Sequence, residues 1–285
     1  MATFYKNVLG HLATLRHDFA CDRKSIDGRI LWINGLAKSG TSLIEDIVYQ
    51  LGYVDGVRSL LRPRLRLPKL ADAVIDEQLF SAQPRRKKTY LKTHCLYSKE
   101  LDSWVDLYNI RPVIMMRDVR DALVSRYHHI CSDPTHWDFL RLKNLPESVR
   151  FKSSILVENP VYKLSQLEYY IFWIHSWFDS PFSNRIIWYE SYLNSPELFI
   201  DNVAAACHAE NYNSQAIELY LSRKRAQIAN LSSDLAERRL RAGSRSGTFR
   251  DGEAGQNKNY FDAELDDLFC ELIHKYGLED LHALD

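Results

Sequence analysis

The stretch Lys38-Ser39-Gly40-Thr41-Ser42 packs a cation, a glycine and three hydroxyls into five residues. Before it lies Ile30-Leu31-Trp32-Ile33-Asn34, an apolar run of strand length. After it, Leu43 to Leu51 carries apolar residues at helical spacing. Strand, tight loop and helix start in that order aim free backbone N–H groups and the positive helix end at an anion. Gly40 lets the backbone come close, Thr41 and Ser42 add donors, and Lys38 adds charge. An ordinary strand-to-helix turn with a Ser or Thr cap is the plain alternative. A nucleotide-hydrolysing P-loop places its Lys directly after the last Gly. Here Lys38 precedes Gly40 by two positions and Thr41 follows it.

Three further constellations could act with this loop. Lys92-Thr93-His94 ends the predicted strand Thr89–Lys92, where open α/β sheets bind ligands, and a histidine there is a candidate general base. Lys92 and Lys38 favour its neutral form, because like charge disfavours imidazolium. Arg117, at the end of the apolar run Pro112–Met116, is followed eight residues later by Ser125. Both can reach one phosphate, which guanidinium suits well. The third is Arg250-Asp251-Gly252, behind a run of five Arg without an acid from Arg238 to Arg250. A surface histidine and an ion-paired Arg/Asp helix are the bland counterparts.

The positioning elements alternate. Beyond those already named, helices are expected over Lys99–Tyr108, Ala122–Ile130, Leu164–Phe178, Pro196–Cys207, Ser214–Ala229 and Asp262–Tyr276. A buried strand is expected at Arg185–Tyr189. Residues 132–160 hold three Pro and suggest loops and short helices. A short helix is plausible over Phe4–Leu15 and another over Ala71–Phe80, with a surface loop at Arg62–Pro68. Strands alternating with helices imply an α/β fold: three α/β/α layers around a central parallel sheet. The 285 residues fit one such domain over 1–285, and 46% hydrophobic residues supply its core. Zero net charge argues against broad nucleic-acid binding. The cysteines at 21, 95, 131, 207 and 270 match neither a disulfide framework nor a zinc site, so a reducing cytoplasm is the default. No signal or membrane-spanning run is visible, and no membrane partner is expected.

These motifs resemble, in order, those of the PAPS-dependent sulfotransferases. The loop is similar to the family's Pro-Lys-Ser-Gly-Thr-Thr-Trp, with Ala37 for Pro and Leu43 for Trp. Lys92-Thr93-His94 matches Lys-Thr-His. Arg117 to Tyr127 resembles Arg-Asn-Pro-Arg/Lys-Asp-x-x-x-Ser-x-Tyr, with Val119 for Pro. Tyr189-Glu190 with Pro196 resembles the segment whose Tyr contacts adenine. Arg250 to Phe261 resembles Arg-Lys-Gly-x-x-Gly-Asp-Trp-Lys-Asn-x-Phe, with Asp251 for Lys.

The resemblance implies a P-loop-like fold and transfer of a sulfuryl group from PAPS to a hydroxyl or amine of a small molecule, releasing PAP. His94 would be the base, and Lys38 would stabilise charge on the departing phosphate oxygen. Lys92 would assist at the sulfuryl oxygens, and Ser125 would hold Lys38 back until an acceptor arrives. Lys38, Ser39, Gly40, Thr41, Ser42 and Leu43 would line the donor's 5′ end. Arg117, Ser125, Arg250, Asp251 and Gly252 would line the 3′-phosphate, and Tyr189 the base. No metal is required. The family's dimer segment is replaced by Asp262-Ala263, so a monomer or weak dimer is expected. A P-loop small-molecule kinase and a non-catalytic nucleotide-binding module are the rivals. Acceptor contacts are expected from residues 53–83, 127–160 and 238–249.

Overall fold

The computed structural model describes residues 30–56, 77, 80, 88–159, 162–229 and 254–279. Its centre is a five-stranded sheet, every pairing parallel, in the order β2-β3-β1-β4-β5. The strands are β1 (Ile30–Gly35), β2 (Val54–Asp55), β3 (Thr89–Thr93), β4 (Ile110–Met116) and β5 (Ile186–Trp188). The helices are α1 (Thr41–Gln50), α2 (Glu100–Tyr108), α3 (Val119–Ser132), α4 (Phe139–Lys143), α5 (Glu147–Leu156), α6 (Gln166–Phe178), α7 (Tyr189–Asn194), α8 (Pro196–Ala206), α9 (Ser214–Ala229) and α10 (Ala263–Lys275).

β1 is buried along its whole length because strands flank it on both sides. Its side chains alternate between two cores. Trp32 faces one, with Leu91, Ile114 and residues of α3, α6 and α10. Leu31 and Ile33 face the other, with Tyr90, Val113, Met115 and residues of α1, α8 and α9. Helices thus cover both faces, and the three α/β/α layers expected from the alternation are present. Pro112 is tolerated inside β4 because pairing with β5 begins only at Ile114, so one side of the strand is open at the proline.

Caps place the helix starts that matter. Asp118 caps α3 by accepting from the Asp121 N–H, Ser165 caps α6 with Glu168 at the third helical position, and Asp262 caps α10. Asp262 therefore has a local structural role.

Several expectations are corrected. The segment at Arg185–Tyr189 is not a buried strand: β5 is an edge strand, half-buried throughout, and Tyr189 opens α7. β2 was not anticipated, since two residues carry no readable pattern. Residues 132–160 hold a ten-residue helix, α5, besides the short α4. The helix at Phe4–Leu15, the loop at Arg62–Pro68 and nearly all of Ala71–Phe80 lie outside the described residues. No helix among the described residues is long and apolar enough to cross a membrane.

Candidate active site

A parallel sheet sends all its strand ends to one edge. The registers pair Asn34 with Thr93, Gly35 with Met115 and Met116 with Trp188. The residues that follow therefore stand side by side along that edge: His94 after β3, the Leu36–Gly40 loop after β1, Arg117 after β4 and Tyr189 after β5. Neighbouring strands lie about 4.8 Å apart, so the row from β3 to β5 spans about 14 Å.

The loop is bent for anion binding. Lys38 has φ 72° and Gly40 φ 93°, both left-handed. A Cβ at Gly40 would sit 2.6 Å from Tyr189 Cδ2, so glycine is needed for shape as well as for backbone angle. No side chain caps α1; the N–H groups of Leu43 and Ile44 donate to the Gly40 carbonyl, at 2.8 and 3.4 Å, and those of Thr41 and Ser42 have no partner within the helix. The Met115 carbonyl anchors the loop twice, accepting from Leu36 N at 3.1 Å and from Ser39 Oγ at 3.0 Å. Ser39 is fully buried, and its N–H donates to the Leu36 carbonyl. Both donors of Ser39 are thus spent inside the protein, and the residue holds the turn rather than presenting a hydroxyl. Thr41 is buried, while Lys38, Ser42 and Leu43 are half-buried.

His94 is half-buried, and its Nδ1 lies 2.6 Å from the Gly35 carbonyl. A carbonyl only accepts, so Nδ1 carries a proton, and in the neutral ring the lone pair is then on Nε2. Lys92 shares the α1 face of the sheet with Tyr90, two residues before it. Its ammonium lies 2.5 Å from Glu45 Oε2 and 3.4 Å from Ser42 Oγ. Glu45 is a buried acid on α1, and it balances a cation at the foot of the loop. The sequence reading missed it. The available signal was an acid on the helix face that also carries Thr41, Ile44 and Val48.

At the other end of the row, Arg117 is buried with its guanidinium 4.6 Å from the centre of the Tyr189 ring. Tyr189 is buried too, wedged between Arg117 and Gly40. Carboxylates set this end. Asp121 lies 3.9 Å from Arg117 and accepts from the N–H groups of Gly255, at 2.7 Å, and Asn257, at 3.0 Å. Asp118 Oδ1 accepts from Asn257 Nδ2 at 3.3 Å, and Glu190 Oε1 from the Asp118 N–H at 3.1 Å. Burial pushes the Glu190 carboxyl above its usual range, with Arg117 and the bond from Asp118 opposing. Ser125 stands two turns into α3, half-buried. Arg250, Asp251 and Gly252 lie outside the described residues, as does the 238–249 stretch. Asp121 nevertheless ties the segment just after them, Ala254–Asn259, to the start of α3.

The model of the Sulfotransferase domain family matches residues 29–283. The chain belongs to the sulfotransferase family. Among solved structures it is similar to mouse sulfotransferase SULT7A1 complexed with PAP, at 16% identity and TM-score 0.58, over 92% of this chain and 88% of that one. It is also similar to retinol dehydratase in a complex with retinol and PAP, at 17% identity and TM-score 0.52, over 87% and 81% of the two chains. Identities this low speak to the fold, which is the sulfotransferase fold. No curated protein matches by sequence. Family membership favours sulfuryl transfer over the phosphoryl transfer of a kinase.

Proposed function

We propose that this sulfotransferase is a single domain that takes PAPS as donor and moves its sulfuryl group to a hydroxyl or amine of a small molecule, leaving PAP. The observation that carries the reading is the His94 tautomer. The Gly35 carbonyl accepts from Nδ1, which in the neutral ring puts the lone pair on Nε2. A neutral imidazole at that edge accepts the acceptor's proton as its oxygen or nitrogen attacks sulfur.

The chain's donors fit a ligand with two separated anionic ends. The N–H groups of Thr41 and Ser42 at the start of α1, with Lys38 and the Ser42 hydroxyl, serve the 5′ end. Arg117 and Ser125, together with Arg250 and Gly252 by the family resemblance, serve the 3′-phosphate, and Tyr189 borders the base. Lys38 stabilises the charge that grows on the departing phosphate oxygen, and Lys92 steadies the sulfuryl oxygens. Fixed cations do the neutralising, so no metal is required. Asp251, where a lysine is usual, makes the 3′-phosphate site less positive. The retinol dehydratase complexes with retinol and with androsterone support a small-molecule acceptor. Four free cysteines among the described residues are consistent with a cytoplasmic location. Asp262 and Glu264 beside any two-fold contact support a monomer or weak dimer.

Two measurements test this reading. PAP should raise the melting temperature, and adenosine 5′-phosphosulfate, which lacks the 3′-phosphate, should raise it far less. A PAPS-dependent screen of hydroxylated and amine metabolites should show mass addition of a sulfo group. Equal stabilisation by both nucleotides removes the roles given to Arg117 and Ser125.

A further inference from the structure

Asn34 is a lone carboxamide in the central strand, completely buried. Such a group is costly to bury unless both its donor and its acceptor are used. Here they are. Oδ1 accepts from Thr93 Oγ1 at 2.7 Å and from the Cys95 N–H at 2.9 Å, and Nδ2 donates to the Cys95 carbonyl at 3.0 Å. The amide grips both peptide groups of Cys95 as a neighbouring strand would. It thereby extends the β1–β3 pairing beyond its last register, Asn34 with Thr93. The orientation of the amide is dictated from outside. Trp32 Nε1 donates to Thr93 Oγ1 at 2.8 Å, which leaves the hydroxyl proton for Asn34 Oδ1.

His94 lies between the two residues that Asn34 holds. The carbonyl that receives its ring belongs to Gly35, the residue after Asn34. Two indoles close the arrangement: Trp173 Nε1 donates to the His94 carbonyl at 3.3 Å and Trp177 Nε1 to the Cys95 carbonyl at 3.0 Å. An apolar residue of the same volume at 34 would fill the space, yet it would strand the Cys95 N–H and free the Thr93 hydroxyl.

We infer that Asn34 is a positioning residue for His94. By clamping the chain on either side, it sets the reach from the ring to the Gly35 carbonyl and so keeps the proton on Nδ1 and the lone pair on Nε2. Its consequence for catalysis rests on the reading of His94 as the base; its consequence for the tautomer does not.

The test uses the full chain and two variants, Asn34→Ala and Thr93→Val. The second keeps the shape of the side chain and removes only the hydroxyl, so it serves if the first does not fold. PAP-induced thermal stabilisation serves as the fold check. Long-range proton–nitrogen spectra of the imidazoles, with the His94 signals assigned by their loss in His94→Gln, should show wild-type His94 protonated at Nδ1. Either variant should shift it to a tautomer mixture. With PAPS and a series of phenols of graded acidity, Asn34→Ala should lower kcat about 10- to 100-fold on the least acidic phenols. It should cause no further loss in a His94→Ala background, since an effect exerted through His94 vanishes with it. An unchanged tautomer in both variants overturns the inference. So does an equal fractional loss in the two backgrounds, the signature of a purely structural role. If the tautomer shifts while no phenol is sulfonated by the wild type, the positioning role stands and the acceptor class falls.

Discussion

The two ends of the catalytic edge are held by opposite chemistry. At the β1–β3 end, His94 and its neighbours are placed by neutral groups: the Gly35 carbonyl, the Asn34 amide and three indoles. At the β4–β5 end, Arg117 and the start of α3 are placed among carboxylates: Asp118, Asp121 and Glu190. Under the proposed roles, the difference follows from what each end must be. A general base has to stay uncharged near neutral pH, and a close carboxylate favours the protonated ring. A guanidinium stays charged beside anything, so carboxylates can hold it and its surroundings at no risk to its charge. Lys92 shows the boundary: it shares β3's end with His94, yet its ammonium is balanced by Glu45.

Separating the two ends should give the largest effect. His94→Ala removes the proposed base and should lower kcat by roughly 10²–10⁴, which is about 3–5 kcal/mol in the barrier by the tenfold rule. PAP affinity should stay nearly intact. Arg117→Ala should do the reverse, weakening PAP more than it lowers kcat at saturation. Lys38→Ala should damage both, since its proposed role places it on the donor before and during transfer. Steady-state kinetics with PAP calorimetry reads the split. A His94→Ala enzyme with full activity on a hydroxyl acceptor would erase the contrast.

A middle-sized effect belongs to Asp121→Asn. The carboxylate is buried and takes two backbone N–H groups from the C-terminal segment. In the amide, an NH₂ faces one of those donors, and one buried N–H is left unmet. That costs about 1–3 kcal/mol. Because the lost contact docks the segment leading back to Gly252 and Arg250, PAP affinity should fall by about tenfold, or 1.4 kcal/mol. The kcat should change less. If kcat falls further than affinity does, the carboxylate end is not confined to donor binding.

What the sequence shows of this edge and what it hides have a common cause. The loop, His94, Arg117 and Tyr189 are legible because each stands at the end of a short apolar run, and a parallel sheet brings such ends together. The supporting residues answer to partners far away in the chain. Asn34 meets Cys95 across 61 positions, Glu45 meets Lys92 across 47, and Asp121 meets Asn257 across 136. No local pattern encodes such pairs. What remains visible is a polar residue where an apolar one is expected, as Asn34 is in β1 and Glu45 on the inner face of α1. Ser39 shows the converse: a hydroxyl in an anion loop looks like a ligand contact, but the fold spends it on Met115. Tyr189 reads as the end of a strand, whereas the edge strand stops one residue earlier and a helix begins.

The smallest effect tests the carboxylate end from the side of stability. Glu190 is held by burial above its ordinary value of 4.5, although the Asp118 N–H and Arg117 pull it down. The folded chain therefore binds this proton more tightly than the unfolded chain does. The stability Glu190 contributes is fully present below its unfolded pKa and is lost as pH rises through the raised folded value. Glu190→Gln carries no such titration, and its amide oxygen can still accept from the Asp118 N–H. The melting temperature of the variant minus that of the wild type should thus be lowest below pH 4.5, rise with pH, and level off once Glu190 is ionised in both states. Other titrating groups are common to the two proteins and cancel in the difference. At the β1–β3 end, Asn34 carries no titratable proton, so Asn34→Ala should give a difference that does not change with pH over the same range. A flat line for Glu190→Gln as well would mean that Arg117 and the Asp118 N–H fully compensate the burial. The two ends would then differ in their chemistry but not in their response to protons.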